Sequence, residues 1–453
     1  MLDQSFTYKN LLKIYDQQNK KGINLEGIFF PSVEYHSERI KQAKLALQQL
    51  YKNRSRYSEE VFHERVKRIY RVIRSLKKSK ELRIKEELDE ISHDILSGEV
   101  NFSLNKKTLH GHKKPVYSIS SDAASFFAEK QVQSNISKTY HVKQSNRDLI
   151  IPQIRSHLQN DFPKYLIKTD IKDFYESVDR EILLSKLNRN PLLSLTTRKL
   201  LAKLLSSFDG YSSPPGTKKG IPRGIGISAY LAELYMSEFD EKMRKIPDLV
   251  YYSRYVDDII VIFCPSNSSD IHSHFKKIEQ FIDQENLELS SEREKTLKLN
   301  LSSGGKTYDF NYLGYNFKRE KYGLFLNFSE KKELKYRERL QKAFSEYGRK
   351  RHRQPRYART LLLKRVRFLT GNTKLFNNKG SAFIGIYHSN KWINRTNALH
   401  RLDRFLEGKI STLHDIKLKK RLYRNSFVQG FQNKTFRKFK PNEMSEIVRV
   451  WKL

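Results

Sequence analysis

In a chain with 87 Lys and Arg against 50 Asp and Glu, a formal charge of +37 over 453 residues, the feature that most constrains the fold is where three of its acids fall. Asp170 closes the apolar run Leu166-Ile-Lys-Thr-Asp170, which reads as a strand. Asp257 and Asp258 stand side by side between two more such runs, Tyr251-Tyr-Ser-Arg-Tyr255 and Ile259-Ile-Val-Ile-Phe263. That pattern predicts a hairpin with adjacent carboxylates at its tip. Two like charges about 4 Å apart repel by about 4 kcal/mol at an effective dielectric near 20, so the arrangement is tolerable where a cation normally sits. Oxygen-only ligands favour Mg²⁺, with Mn²⁺ as a substitute. Three carboxylates at two strand ends suit a two-metal site. Spacing alone also leaves open an ordinary hairpin turn with an unrelated strand-end acid.

The remaining composition narrows the class of protein. A hydrophobic content of 38% and an aromatic content of 12% suffice for packed cores and argue against global disorder. A single cysteine, Cys264, excludes a disulfide framework and a Cys-rich zinc site. It follows an apolar strand, so it is expected to be a buried small hydrophobe. The N-terminus lacks the apolar core of a secretory signal, and no stretch approaches 18 uncharged apolar residues. The chain is therefore expected to be cytoplasmic, with no membrane partner. Residues 330–453 hold 33 Lys and Arg against 9 Asp and Glu, interleaved with Tyr336, Phe344, Tyr347, Tyr357, Phe368, Phe376, Phe383, Tyr387 and Trp392. Cations alternating with rings suit a surface that neutralises phosphates and stacks on bases; solvated helix faces with core-facing rings are the plainer alternative.

Residues 36–97 read as long charged helices, with Ile40, Ala43, Leu47 and Leu50, then Val66, Ile69, Tyr70 and Ile73, at helical spacing. Gly98, Asn101, Asn105 and His110-Gly111-His112 break that pattern. No third ligand completes a metal site around the two histidines. Beyond residue 117 strands and helices alternate. Val142–Lys143 and Leu149–Ile151 flank Gln144-Ser145-Asn146, an expected hairpin tip, and Ser212–Lys219 reads as a loop.

Several segments then become recognisable. Asp170-Ile-Lys-Asp-Phe-Tyr-Glu-Ser-Val-Asp179 resembles the first palm motif of reverse transcriptases, and Tyr255-Val-Asp-Asp258 their Y-x-D-D motif. Between them, Gly220-Ile-Pro-Arg-Gly-Ile-Gly-Ile-Ser228 resembles the glycine-containing loop that enters a helix beside template and incoming nucleotide. Glu294-Lys-Thr296 resembles the lysine-bearing segment after the Y-x-D-D hairpin, and Phe310-Asn-Tyr-Leu-Gly-Tyr315 the primer-grip turn. The five occur in the family's order. The texture is most similar to bacterial reverse transcriptases of the retron and defence-associated (abortive-infection) groups.

The resemblance implies an α+β right-hand polymerase. Residues 1–115 would be a helical extension, 116–325 fingers and palm, and 326–453 a basic helical thumb-like region. It implies RNA-directed DNA synthesis from dNTPs, with Asp170, Asp257, Asp258 and the Ile171 carbonyl holding two Mg²⁺ ions. Tyr175 would lie under the incoming sugar and exclude a 2′-hydroxyl, while Phe174 packs in the core and Asp179 caps the following helix. Lys295 could protonate the pyrophosphate. Lys143 or Arg147 could clamp the triphosphate, and Arg223 and Gly224 would line the nucleotide. Arg223 stands where many members have Gln. Leu313, Gly314 and Tyr315 would form the primer grip. Implied partners are a structured non-coding RNA, an RNA/DNA duplex product, and a second defence protein or another copy of the chain, in a bacterial cytoplasm. RNA polymerisation on the same palm, template-independent or protein-primed DNA synthesis, and a non-catalytic RNA-binding scaffold remain open alternatives.

Overall fold

The computed structural model describes every residue except 1, 109–113, 190, 212–216, 265–269, 293, 303–305, 376–381 and 453. His110-Gly111-His112, Phe376 and most of the Ser212–Lys219 loop lie outside the described residues. The chain divides into two compact units, Met1–Gln144 with Asp173–Glu238, and Ser145–Lys172 with Phe239–Leu453. Among the described residues no helix is long and apolar enough to cross a membrane.

The first unit is mainly helical. The charged stretch forms helices Pro31–Lys52 and Glu59–Ser97. Proline at the first position suits a helix whose first N–H groups have no internal partner, and Gly98 ends the second helix in the left-handed region, at φ 84°. Their buried faces carry Ile40 and Leu50, then Phe62, Ile73, Ile84, Leu88, Ile91 and Ile95. Ile73 is buried and Val66 and Ile69 are half-buried, as the spacing predicts, while Tyr70 lies just off that stripe and is exposed. A short antiparallel hairpin follows, β1 (Leu104–Lys107) with β2 (Val116–Ile119). The boundary drawn at residue 115 falls inside it. Helix Ala123–Thr139 is capped by Asp122, whose carboxylate accepts the Ser125 N–H at 2.7 Å. The buried Glu129 accepts the Ile227 N–H at 2.9 Å, at the start of helix Gly226–Tyr235, where the helix dipole favours an anion.

The hairpin expected around Gln144–Asn146 is instead the start of helix Arg147–Gln159, in the second unit. The Asn146 side chain accepts the Asp148 N–H at 2.9 Å, and Ile150, Ile151, Ile154 and Leu158 are buried at helical spacing. Asn and Ser serve hairpin tips and helix N-caps equally, and the apolar period past residue 149 decides for the helix. Lys143 is an exposed residue of the loop before it.

The second unit holds two antiparallel sheets. The first has order β4-β5-β3-β6, from β3 (Tyr165–Asp170), β4 (Leu249–Tyr255), β5 (Asp258–Phe263) and β6 (Leu297–Asn300). All six residues of β3 are buried. The second is a meander of β7 (Tyr308–Tyr312), β8 (Tyr315–Glu320) and β9 (Gly323–Phe328). One apolar core joins Leu166, Ile260 and Ile262 to Phe317 and Leu326 and to the basic helices Glu330–Lys350, Pro355–Thr370 and Asn397–Ser411. A short pair, β10 (Asn372–Lys374) with β11 (Phe383–Gly385), lies farther along. Cys264 is exposed, against the expected burial, because the chain leaves the sheet directly after Phe263.

Helix Phe427–Gln432 approaches Thr370 so closely that a Cβ on Gly430 would lie 1.6 Å from the Thr370 carbonyl oxygen. The Gly430 carbonyl also accepts the Asn372 side-chain N–H at 3.1 Å. Gly430→Ala should destabilise this unit by at least the roughly 1–3 kcal/mol typical of an overfilled core, seen as a lowered Tm. Gly408→Ala, where a Cβ meets nothing within 4 Å, should leave Tm unchanged or slightly raised.

Candidate active site

Strand register brings the acids together in the second unit. β3 and β5 pair antiparallel with Asp170 directly opposite Asp258, and the Ile171 N–H donates to the Asp257 carbonyl at 3.1 Å. Val256 and Asp257 form the two-residue turn between β4 and β5, with Val256 at φ 61°. That conformation is costly for a β-branched residue, so the surroundings must impose it. Arg254, buried within β4, makes two bonds to Asp240, at 2.9 and 2.8 Å, and donates a third to the Val256 carbonyl at 2.9 Å. Tyr252 donates to the same Asp240 carboxylate. The Tyr312 hydroxyl, from β7, donates to the Asp258 carbonyl at 3.3 Å.

The electrostatics match the crowding. Burial pushes the Asp258 carboxyl up to about 7, with the charges of Asp257 and Asp170 adding to it and Lys168 and Lys295 opposing. The Lys295 ammonium lies 3.0 Å from the Asp170 carboxylate. That hydrogen bond raises its pKa, so Lys295 holds its proton. Lys168 is buried and donates to the Glu294 carbonyl at 3.1 Å, and its burial lowers its pKa. Thr169 and Thr296 share a hydroxyl bond of 3.0 Å, which fixes the Lys295 segment against β3. The donor set is oxygen-only and fits a hard divalent cation. Among the described residues no three His, Cys, Asp or Glu side chains already converge as a ready ligand set. Lys295 supplies a counter-charge on Asp170.

The primer-grip segment forms the β7–β8 turn. Leu313 and Gly314 both have positive φ, 45° and 79°, as a tight two-residue hairpin requires. Tyr315 is buried, with the Arg147 guanidinium 5.7 Å and the Lys332 ammonium 5.3 Å from its ring centre. Arg147 and Lys332 also donate to one acceptor, the Ser389 carbonyl, at 3.4 and 3.0 Å. Burial, with Arg147 pressing the same way, lowers Lys332 to about 8. Arg147 therefore belongs to the surroundings of Tyr315 and not to a hairpin tip. Lys332 was missed in the sequence, where it is one cation among many.

Tyr175, Arg223 and Gly224 lie in the first unit. Phe174–Ser177 is a single helical turn after Asp173, which has φ 49°. Phe174 is buried, as expected, and Tyr175 half-buried. Asp179 accepts the Glu181 N–H at 2.9 Å and the Ile182 N–H at 3.3 Å, capping helix Arg180–Arg189. A Cβ on Gly224 would lie 2.2 Å from Val116 and 2.8 Å from the Tyr117 carbonyl. Glycine is thus required there by β2. The Arg223 guanidinium makes two contacts with the Glu176 carboxylate, at 3.3 and 3.2 Å, and lies 5.0 Å from the Tyr175 ring centre.

Residues 69–317 match the family described as reverse transcriptase (RNA-dependent DNA polymerase). No curated protein matches the chain. Similar solved structures include apo telomerase from Candida tropicalis truncated from its C-terminal domain, 13% identical over 52% of this chain and 59% of that one, with a TM-score of 0.36. Another is telomerase from Candida albicans in complex with a TWJ fragment of telomeric RNA, 12% identical over 77% of this chain and 61% of that one, with a TM-score of 0.35. The chain thus spans about three fifths of the length of these two telomerases. The family match covers more than half of the 453 residues, and the chain, an α+β protein, belongs to the reverse transcriptase family of RNA-dependent DNA polymerases.

Proposed function

We propose that this chain extends a primer on an RNA template with dNTPs, as a bacterial enzyme of the retron or defence-associated type working with a structured non-coding RNA. The observation that carries the reading is the placement of Asp170 opposite Asp258, beside Asp257, with a crowding that a divalent cation would relieve. Asp170, Asp257, Asp258 and the Ile171 carbonyl would hold two Mg²⁺ ions. Bound there, the ions would supply charge neutralisation at the α-phosphate and a more acidic primer 3′-hydroxyl. The protein's own groups do the rest. Arg254 and Asp240 fix the turn that presents Asp257, the Leu313–Gly314 turn and Tyr315 position the primer end, and Lys295 keeps a proton to give to the leaving pyrophosphate. Residues 1–115 serve as an extension, 116–325 as fingers and palm, and 326–453 as a thumb-like region.

The basic C-terminal helices support duplex binding. A cavity of about 430 Å³ is lined by Arg349, Lys350, Arg353 and Arg449 together with Glu346 and Glu446, and Glu346 pairs with Arg349 and Lys350, which leaves a net basic lining. Arg365 is buried there, donating to the Ile447 and Glu446 carbonyls at 3.3 and 3.4 Å. Such a surface holds a nucleic-acid backbone by charge, with little sequence preference.

Asp257→Asn with Asp258→Asn should cut Mg²⁺-dependent dNTP incorporation by more than about 10³-fold while leaving RNA affinity within about twofold, as no backbone-binding cation is touched. Wild-type synthesis by that variant would defeat the reading. Arg353→Ala with Arg449→Ala should lower the slope of log affinity against log salt by about 1–2 for an RNA/DNA duplex, measured by fluorescence anisotropy. The acids also predict a pH signature. Because the folded Asp258 carboxyl is raised to about 7, its ionisation costs stability progressively as pH climbs from the ordinary carboxylate range through 7. Without divalent cation, Asp258→Asn should therefore be more stable than wild type at pH 8, by on the order of 2–4 kcal/mol. The gap should close near pH 4. Equal melting temperatures at pH 8 would contradict it.

A further inference from the structure

Arg223 occupies the position where many family members have glutamine, and the structure gives that guanidinium a specific task. The backbone of residues 218–221 is laid along the turn that carries Tyr175. The Ile221 N–H donates to the Tyr175 carbonyl at 2.8 Å, the Gly220 N–H to the Val178 carbonyl at 2.7 Å, and the Arg180 N–H to the Lys218 carbonyl at 3.0 Å. Gly220 has φ 84°, and a Cβ there would lie 3.1 Å from the Glu176 carbonyl oxygen. Just beyond, the Arg223 carbonyl accepts the Tyr117 N–H of β2 at 2.7 Å. Arg223 is thus anchored through its backbone between β2 and the Tyr175 turn before its side chain makes any contact.

The side chain then makes two contacts at once. Its Nε and Nη2 meet the two Glu176 oxygens at 3.3 and 3.2 Å, and its Cζ lies 5.0 Å from the Tyr175 ring centre. Phe174 meets the same ring edge-on at 5.8 Å. Lys114, just before β2, also holds Glu176, at 2.9 Å, and pairs with Asp173. A planar fork that bridges a carboxylate and a ring face is a role glutamine cannot fill and lysine fills only in part.

We propose that Arg223 is a positioning residue for sugar discrimination: tethered by Glu176, it braces the Tyr175 ring in the orientation that excludes a 2′-hydroxyl. This deepens the polymerase reading and rests on it for its catalytic consequence. The brace itself is a property of the fold and can be read without turnover.

Two measurements test it. First, 3-fluorotyrosine is placed at position 175 and its ¹⁹F resonance is followed in the full chain. Arg223→Gln should shift and narrow the signal as the ring gains freedom, Glu176→Gln should do so partially, and an unchanged resonance in Arg223→Gln would overturn the proposal even in a protein that incorporates no nucleotide. Second, kcat/KM is measured for a dNTP and its rNTP on one primer–template. Arg223→Gln should lower the dNTP preference about 3- to 30-fold, the equivalent of one cation–π contact, mainly by raising rNTP use. Arg223→Lys should fall between it and wild type. A preference left intact while the KM for both nucleotides rises together would overturn the proposal and assign Arg223 to the triphosphate instead. Wild-type protein that incorporates neither nucleotide would count against the polymerase reading, and the ¹⁹F result would still decide the brace.

Discussion

The second unit depends on an electrostatic conflict held in place by apolar strands. β3 is buried along its whole length and β5 nearly so, and their pairing sets Asp170 opposite Asp258. Burial of six-residue apolar strands contributes several kcal/mol per pair of large side chains, which outweighs the repulsion of the acids at their ends. The register is not free to slip to relieve that repulsion, because β5 is packed on both faces, with Ile259, Val261 and Phe263 as buried as Ile260 and Ile262, and a one-residue shift would exchange the two sets and disrupt the packing of both. The cost of the acids is therefore carried by the fold, and it appears as a carboxyl held near neutrality.

The turn between β4 and β5 shows how the position of Asp257 is enforced. A valine at φ 61° would relax in an isolated peptide. Here Arg254 reaches back to the Val256 carbonyl while Asp240 grips its guanidinium from two sides. That buried ion pair is a positioning device, since its desolvation makes it a weak source of net stability.

How much of this was legible in the sequence depended on how local each signal was. The acids, the Leu313–Gly314 turn and the Asp179 cap are written in a few adjacent residues, and the structure places them accordingly. The segment around Gln144–Asn146 misled because its polar residues suit either a hairpin or a helix start. The pairing of β1 with β2 was hidden because Leu104-Asn-Lys-Lys107 exposes three of its four residues and carries almost no apolar alternation. Lys332 and the Glu176–Arg223 pair depend on neighbours far away in the chain, which no window of sequence displays. Cys264 was misjudged by one residue, the point at which a buried strand gives way to an exposed loop.

The same unit also crowds charges of the other sign. Around Tyr315, Arg147 and Lys332 share the Ser389 carbonyl, and Lys332 is pushed down to about 8. The Asp148 carboxylate that could offset them is itself paired with Lys391 at 3.1 Å. Neither cluster is at its lowest energy alone, since each like-charged neighbour adds to a burial cost already present. Each has a natural complement in the proposed reaction: divalent cations for the acids, and primer phosphates for the cations. Binding energy that relieves built-in repulsion is available only to a ligand with charge of the right sign in the right place, so under the proposed function such crowding would favour a metal-loaded nucleic-acid complex over either component alone. A basic surface by itself would bind any polyanion. In the proposed reaction, opposite crowding at two hairpins of one unit would let this surface discriminate.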